Sequence, residues 1–177
     1  YEIPKRDWSS DVCSSDLPQH PFDPGAPAIS DDIPVIVGGT ADESAIFLAP
    51  DDTVWNRAVT DDELKKRVSA VAGAQAAELL AYYKKRDAGA SASDRLITAL
   101  SASNFHVRSQ MLAEAKARRG KAPVWSYRFD WQSPAYGGRL KSCHSLEVPF
   151  VFDTLHIIGE QHRKDRKSTR LNSSHVS

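Results

Sequence analysis

The 177-residue sequence predicts an α/β fold in which two strands of a parallel sheet are covered by helices, and in which the sheet is incomplete. Three observations carry this. Residues 33–37 (IPVIV) and 123–129 (PVWSYRF) are short runs rich in β-branched and aromatic side chains, apolar on both faces, as strands covered on two sides require. The stretch between them, from Thr60 to Gly120, carries apolar residues at helical spacing. Strand, helices, strand is the order of a crossover connection, which joins parallel neighbours.

Composition bounds the function. With 41% hydrophobic and 26% charged residues the chain has material for a core. Lysine plus arginine and aspartate plus glutamate number 23 each, so no overall field attracts nucleic acid or an anionic membrane. No apolar run approaches the roughly 20 residues a membrane-spanning helix needs, and no signal peptide or compartment can be read. Two cysteines, Cys13 and Cys143, allow one bridge at most and make no disulfide framework.

The ends differ from the middle. Residues 1–17 and 165–177 are serine-rich and aperiodic, bury no face, and read as non-native tails of the kind left by adapter read-through. Residues 18–164 are then the native part, cut from a longer gene.

Within it, residues 18–30 hold four prolines and Gly25, which excludes helix or central strand and predicts an extended surface loop. The first strand, 33–37, is closed by Gly38 and Gly39 and delivers Asp42 and Glu43 to its carboxyl end, where open α/β sheets collect their ligands. Thr60 and Glu63 form a T-x-x-E capping box ahead of Leu64, Val68 and Val71; after Gly73 the helical spacing resumes with Leu79, Leu80 and Tyr83. A further helix starts near Ser93 or Asp94 and runs to Arg119, with Leu96, Leu100, Val107 and Met111 along one stripe and Lys116, Arg118 and Arg119 in its last turn. The aromatic residues Trp125, Tyr127 and Phe129 share one face of the second strand, with Trp131 beyond it. Without a basic groove beside them they read as core rather than as a base-stacking platform.

The segment 141–152 (KSCHSLEVPFVF) then places His144 on a loop, followed by the apolar block Val148, Pro149, Phe150, Val151 and Phe152 as a buried anchor. A histidine fixed in this way suits a catalytic base. Glu43, at the first strand's carboxyl end, supplies the acid to pair with it; Glu147 and Asp153 are the alternatives, and Glu147 suits a loop-holding hydrogen bond better. Adjacent side chains in extended chain point opposite ways, so Cys143 and His144 do not form a nucleophile–base pair. His144, His156, His162 and Cys143 have no metal-ligand spacing, and no cofactor is called for. His20 and His106 have no evident partner.

Three ordered stretches resemble the C-terminal third of type-B carboxylesterases, the group that includes bacterial para-nitrobenzyl esterases and cholinesterases. IPVIVGGTADESAIFL is similar to the family's strand and acid loop, SDRLITALSASNFHVRSQMLAEAKARRGKAPVWSYRFDW to its long helix and following strand, and KSCHSLEVPFVF to its histidine segment. The resemblance implies the C-terminal part of an α/β-hydrolase fold, a small-molecule carboxylic ester as substrate, and a Ser-His-Glu triad with Glu43 as acid and His144 as base. Ser145 stands where the family usually has glycine. No G-x-S-x-G nucleophile elbow and no Gly-rich oxyanion loop occur in the chain. It is therefore expected to be inactive alone, and its open sheet edges and uncovered sheet face to make it marginally stable or prone to aggregate. A fragment of a non-catalytic adhesion-type relative, or a small α/β interaction domain, are the competing readings.

Overall fold

The computed structural model describes residues 25–156; the end segments, with Cys13, His20 and His162, lie outside them. Strand β1 (Val35–Thr40) pairs in parallel with β2 (Val124–Phe129), Val35 opposite Val124 through Thr40 opposite Phe129. β1 starts later and runs further than predicted, through Gly38 and Gly39 to Thr40. The glycines continue the strand instead of closing it: a Cβ on Gly38 would stand 2.1 Å from the Tyr127 carbonyl oxygen. Only a residue without a side chain allows that approach.

Seven α-helices follow the turn after β1 or flank β2 among the described residues: α1 (Ser44–Leu48), α2 (Asp52–Trp55), α3 (Asp61–Ala72), α4 (Ala76–Arg86), α5 (Ala92–Ser101), α6 (Val107–Ala117) and α7 (Val148–Val151). Thr60 caps α3 by accepting from the Glu63 N–H at 3.2 Å. The reciprocal half of the box does not form, since the Glu63 carboxylate lies 3.9 Å from Lys66 Nζ instead. Gly73, at φ 53°, ends α3 and turns the chain through a 3₁₀ step into α4, so the interrupted helix is two helices. Arg95 of α5 reaches Asp61 at 2.8 Å, tying α5 to the start of α3.

The core lies where α1, α3, α4 and α5 meet. Leu64, Val68, Tyr83, Leu96 and Ile97 are buried there with Cys143 and Leu146 from the histidine segment. Each fully buried aliphatic side chain of this kind contributes about 1.5–3 kcal/mol.

Two expectations fail, each for a physical reason, while one sheet face is uncovered, as expected of an incomplete sheet. The strands are not buried on both faces: α6 packs against both, while Ile36, Trp125 and Tyr127 on the opposite face are exposed. Their apolar character suits a covering layer that the described residues do not supply. The long helix is not one α-helix. A π-turn, Ala102–His106, separates α5 from α6 and rotates the stripe, so Val107 and Met111 are exposed while Ala113 and Lys116 are buried. Lys116 Nζ donates to the carbonyls of Ser30 and Asp31, and Arg119 forms two bonds with the Asp31 carboxylate, which it holds, with Lys121, well below the usual carboxylate range. These cations pin Ser30 and Asp31 ahead of β1 rather than merely complementing a dipole.

The second failure is the anchor. Val148, Val151 and Phe152 are exposed, because residues 148–151 form a helical turn that distributes side chains around its axis. The segment is held by Cys143, Leu146 and Pro149, all buried, and by Phe150, whose ring lies 5.2 Å from both Phe129 and Trp131.

Candidate active site

Glu43 sits in the turn that leaves β1. Its Oε1 accepts from the Thr40 N–H at 2.8 Å, and its side chain is 6% exposed. Two neighbouring glycines make this placement possible: Gly38 lets β2 approach, and Gly39 leaves empty the space that the carboxylate occupies. On the other side, the Ser44 N–H donates to Ser101 Oγ of α5 at 2.9 Å. A buried carboxylate is costly unless its oxygens are bonded. Oε1 has the amide, and Oε2 has His144.

His144 Nδ1 lies 2.6 Å from Glu43 Oε2, across 101 positions of sequence. An Nδ1–H donated to a carboxylate fixes the tautomer and leaves Nε2 as the proton acceptor. The imidazole is 44% exposed, so one edge is bonded inward and the other is accessible. Phe47 and Phe105 flank it with centroids 5.2 and 5.4 Å away. A groove of about 460 Å³ opens beside these two rings, lined also by Leu48 and Leu100.

The two loops are joined at the backbone. The Asp42 N–H donates to the Ser142 carbonyl at 2.8 Å, the Ser142 N–H returns to Asp42 Oδ2 at 3.3 Å, and the His144 N–H reaches the Glu43 carbonyl at 3.4 Å. Gln132 Nε2 donates to the same Asp42 oxygen at 3.1 Å, and Ser142 Oγ donates to the Phe129 carbonyl at 2.8 Å. Asp42, Gln132 and Ser142 thus hold the register between the loops of Glu43 and His144. Their role was missed from sequence, as were those of Phe47 and Phe105, because each acts through a partner remote in the chain.

The remaining candidates separate cleanly. Glu147 accepts from Tyr127 OH at 3.4 Å, a loop-holding bond away from the imidazole. Cys143 is fully buried, and burial pushes its thiol up to about 11, so it is core and not a nucleophile. His106, which had no evident partner, meets the Thr40 carbonyl through Nε2 at 2.8 Å. Among the described residues no cluster of three or more histidine, cysteine or acidic side chains is placed to hold a metal ion, and no helix is long and apolar enough to cross a membrane.

A carboxylate bonded to Nδ1 of a half-exposed imidazole is an arrangement that can orient the ring and leave Nε2 free to accept a proton. Residues 4–174 match the model of the carboxylesterase family. The chain belongs to the carboxylesterase family. It is 31% identical over 147 residues to the para-nitrobenzyl esterase of Bacillus subtilis (strain 168), a match that covers 78% of this chain and 26% of that protein. It is 32% identical over 141 residues to the phenmedipham hydrolase of Pseudarthrobacter oxydans, with the same coverage of each. A solved structure of a PNB esterase superposes with a TM-score of 0.56 at 28% identity, over 89% of this chain and 30% of the other. This carboxylesterase-family chain therefore spans about a quarter of the length of the curated relatives it matches. Its two parallel strands and their helices are part of an α/β-hydrolase fold.

Proposed function

We propose that this chain carries the acid and the base of a serine carboxylesterase, Glu43 and His144, and that the nucleophile and oxyanion hole come from sequence upstream of it. The observation that carries the reading is the 2.6 Å contact between His144 Nδ1 and Glu43 Oε2. In the complete enzyme a serine hydroxyl attacks the ester carbonyl while His144 Nε2 takes its proton. The tetrahedral adduct collapses to an acyl-serine, and the imidazolium returns the proton to the departing alcohol. Water repeats the sequence and releases the acid. Glu43 keeps the Nδ1–H in place and stabilises the imidazolium through both half-reactions.

The substrate class is a small carboxylic ester, supported by a relative named as a para-nitrobenzyl esterase. The isolated chain is inactive on this reading, because attack and oxyanion stabilisation together account for several orders of magnitude in rate. Residues 18–164 are the C-terminal portion of the esterase domain, and residues 1–17 and 165–177 are non-native. Reassembling the gene from adapter-trimmed reads tests that boundary.

The functional test is a chimera in which residues 25–156 replace the matching segment of the Bacillus para-nitrobenzyl esterase. Serine-dependent hydrolysis of a p-nitrophenyl ester is expected, with loss of about 10⁴-fold in kcat for Glu43→Gln and at least as much for His144→Ala. An active chimera indifferent to both substitutions rejects the assignment. Serine-dependent hydrolysis by the unfused 177-residue chain rejects its predicted inactivity.

A further inference from the structure

The π-turn between α5 and α6 lies beside the Glu43–His144 pair. In an α-helix residues five apart point about 140° away from each other. A π-turn adds one residue to the turn and brings positions i and i+5 onto one side. Ser101 and His106 are related in this way across Ala102–His106, and both meet the acid loop. Ser101 Oγ accepts the N–H of Ser44, one residue after Glu43, and donates to the Ile97 carbonyl at 2.7 Å. His106 Nε2 meets the carbonyl of Thr40, whose N–H in turn binds Glu43 Oε1. Phe105, between them, lies with its ring 5.4 Å from the His144 imidazole and stacks on Phe47 at 6.0 Å.

One turn of irregular helix thus touches both ends of the acid loop and the face of the base. We propose that this π-turn is the positioning element of the acid–base pair, with His106 and Phe105 as positioning residues. His106 fixes the carbonyl end of Thr40, and so restrains the backbone rotation of the residue whose N–H, in the preceding peptide, bonds Glu43. Phe105, with Phe47, restricts the imidazole to the rotamer in which Nδ1 faces Oε2. Neither residue takes or gives a proton to substrate. The cost of the π geometry, which an uninterrupted α-helix would avoid, is offset by contacts that only this geometry makes together.

The inference rests on reading Glu43 and His144 as the acid–base pair, but its test does not need a nucleophile. The 177-residue chain labelled with ¹⁵N-histidine is examined by NMR at about pH 8, where an unperturbed imidazole is neutral. A carbonyl partner requires the proton of His106 on Nε2, so the wild-type chain is expected to show the Nε2–H tautomer there. His144 is expected to show a low-field, exchange-protected Nδ1–H.

His106→Leu is expected to lose the His144 Nδ1–H resonance while far-UV helix content is kept. His106→Gln, whose side-chain amide can donate to Thr40, is expected to restore it. Phe105→Leu is expected to shorten the exchange lifetime of that proton at least tenfold and to remove the ring-current displacement of the His144 carbon-bound protons. An unchanged Nδ1–H signal in both His106→Leu and Phe105→Leu overturns the proposal. So does an Nδ1–H tautomer at His106 in the wild type, a measurement that stands even where a variant does not fold. Loss of chimera activity with these signals intact would count against the esterase reading instead.

Discussion

The Glu43 carboxylate occupies the space that a side chain on Gly39 would fill: a Cβ built there would stand 2.3 Å from Oε1. Gly39→Ala is therefore expected to expel the carboxylate from its bond with the Thr40 N–H and to loosen its contact with His144. Forcing atoms into a filled site costs about 1–3 kcal/mol, visible as a lower urea midpoint. In the chimera the same change should lower kcat at least tenfold with little change in KM. A Gly39→Ala chimera with wild-type kcat would show that the close packing at residue 39 does not matter.

Ser145 follows His144 at φ 63°, in the left-handed region, where the type-B resemblance implies glycine. An L side chain there costs about 1–2 kcal/mol, partly offset by the greater unfolded-state entropy of glycine. Ser145→Gly is expected to raise stability by about 0.5–1 kcal/mol in chemical denaturation. Ser145→Ala, which keeps the Cβ, should give no gain; equal stabilisation by both would disprove backbone strain as the cause.

Asp51 caps α2 and links it to α3, accepting from Thr53 Oγ1 at 2.5 Å and from Arg67 Nη1 at 2.7 Å. The Thr53 hydroxyl and then the Arg67 guanidinium lower its carboxyl to about 2. The unfolded chain binds this proton more readily, so the contribution is complete above about pH 4 and declines as pH falls toward 2. Asp51→Asn should thus destabilise the chain at neutral pH, and the gap in urea midpoint between variant and wild type should narrow as the solution is acidified. A gap independent of pH would mean the carboxylate's charge is not what Arg67 and Thr53 recognise.

Cys143 is closed in the core and its thiol is pushed up to about 11 by burial. Its reaction with a disulfide reagent should be slow under native conditions and should accelerate along the same denaturant curve as loss of helix signal. Rapid modification of folded protein would place this thiol, and the histidine segment with it, outside the core.

Ile36, Trp125 and Tyr127 leave one sheet face apolar and bare among the described residues. The 177-residue chain is expected to self-associate through it. Trp125→Lys should lower the weight-average mass seen by sedimentation at a given concentration. A wild-type chain that sediments as a monomer and unfolds cooperatively would contradict this.

What sequence alone determined was local. The Thr60 cap, the break at Gly73 and the two strands depend on residues within a turn or so of one another, and such preferences survive whatever packs above them. Glu43 and His144 could be proposed as a pair because both stand at ends of apolar segments in an order the type-B resemblance makes specific. The tertiary structure decided everything that needs two distant pieces of chain. Asp42 meets Ser142, Lys116 meets Ser30, His106 meets Thr40, and Phe105 meets His144. None of these pairings leaves a periodic trace, because a hydrogen bond or ring contact constrains the geometry of its two partners and not their neighbours in sequence. Burial behaved likewise. Apolar spacing marked Ile36, Val107 and Met111 as residues able to pack, and only the arrangement of layers decides whether a partner is there.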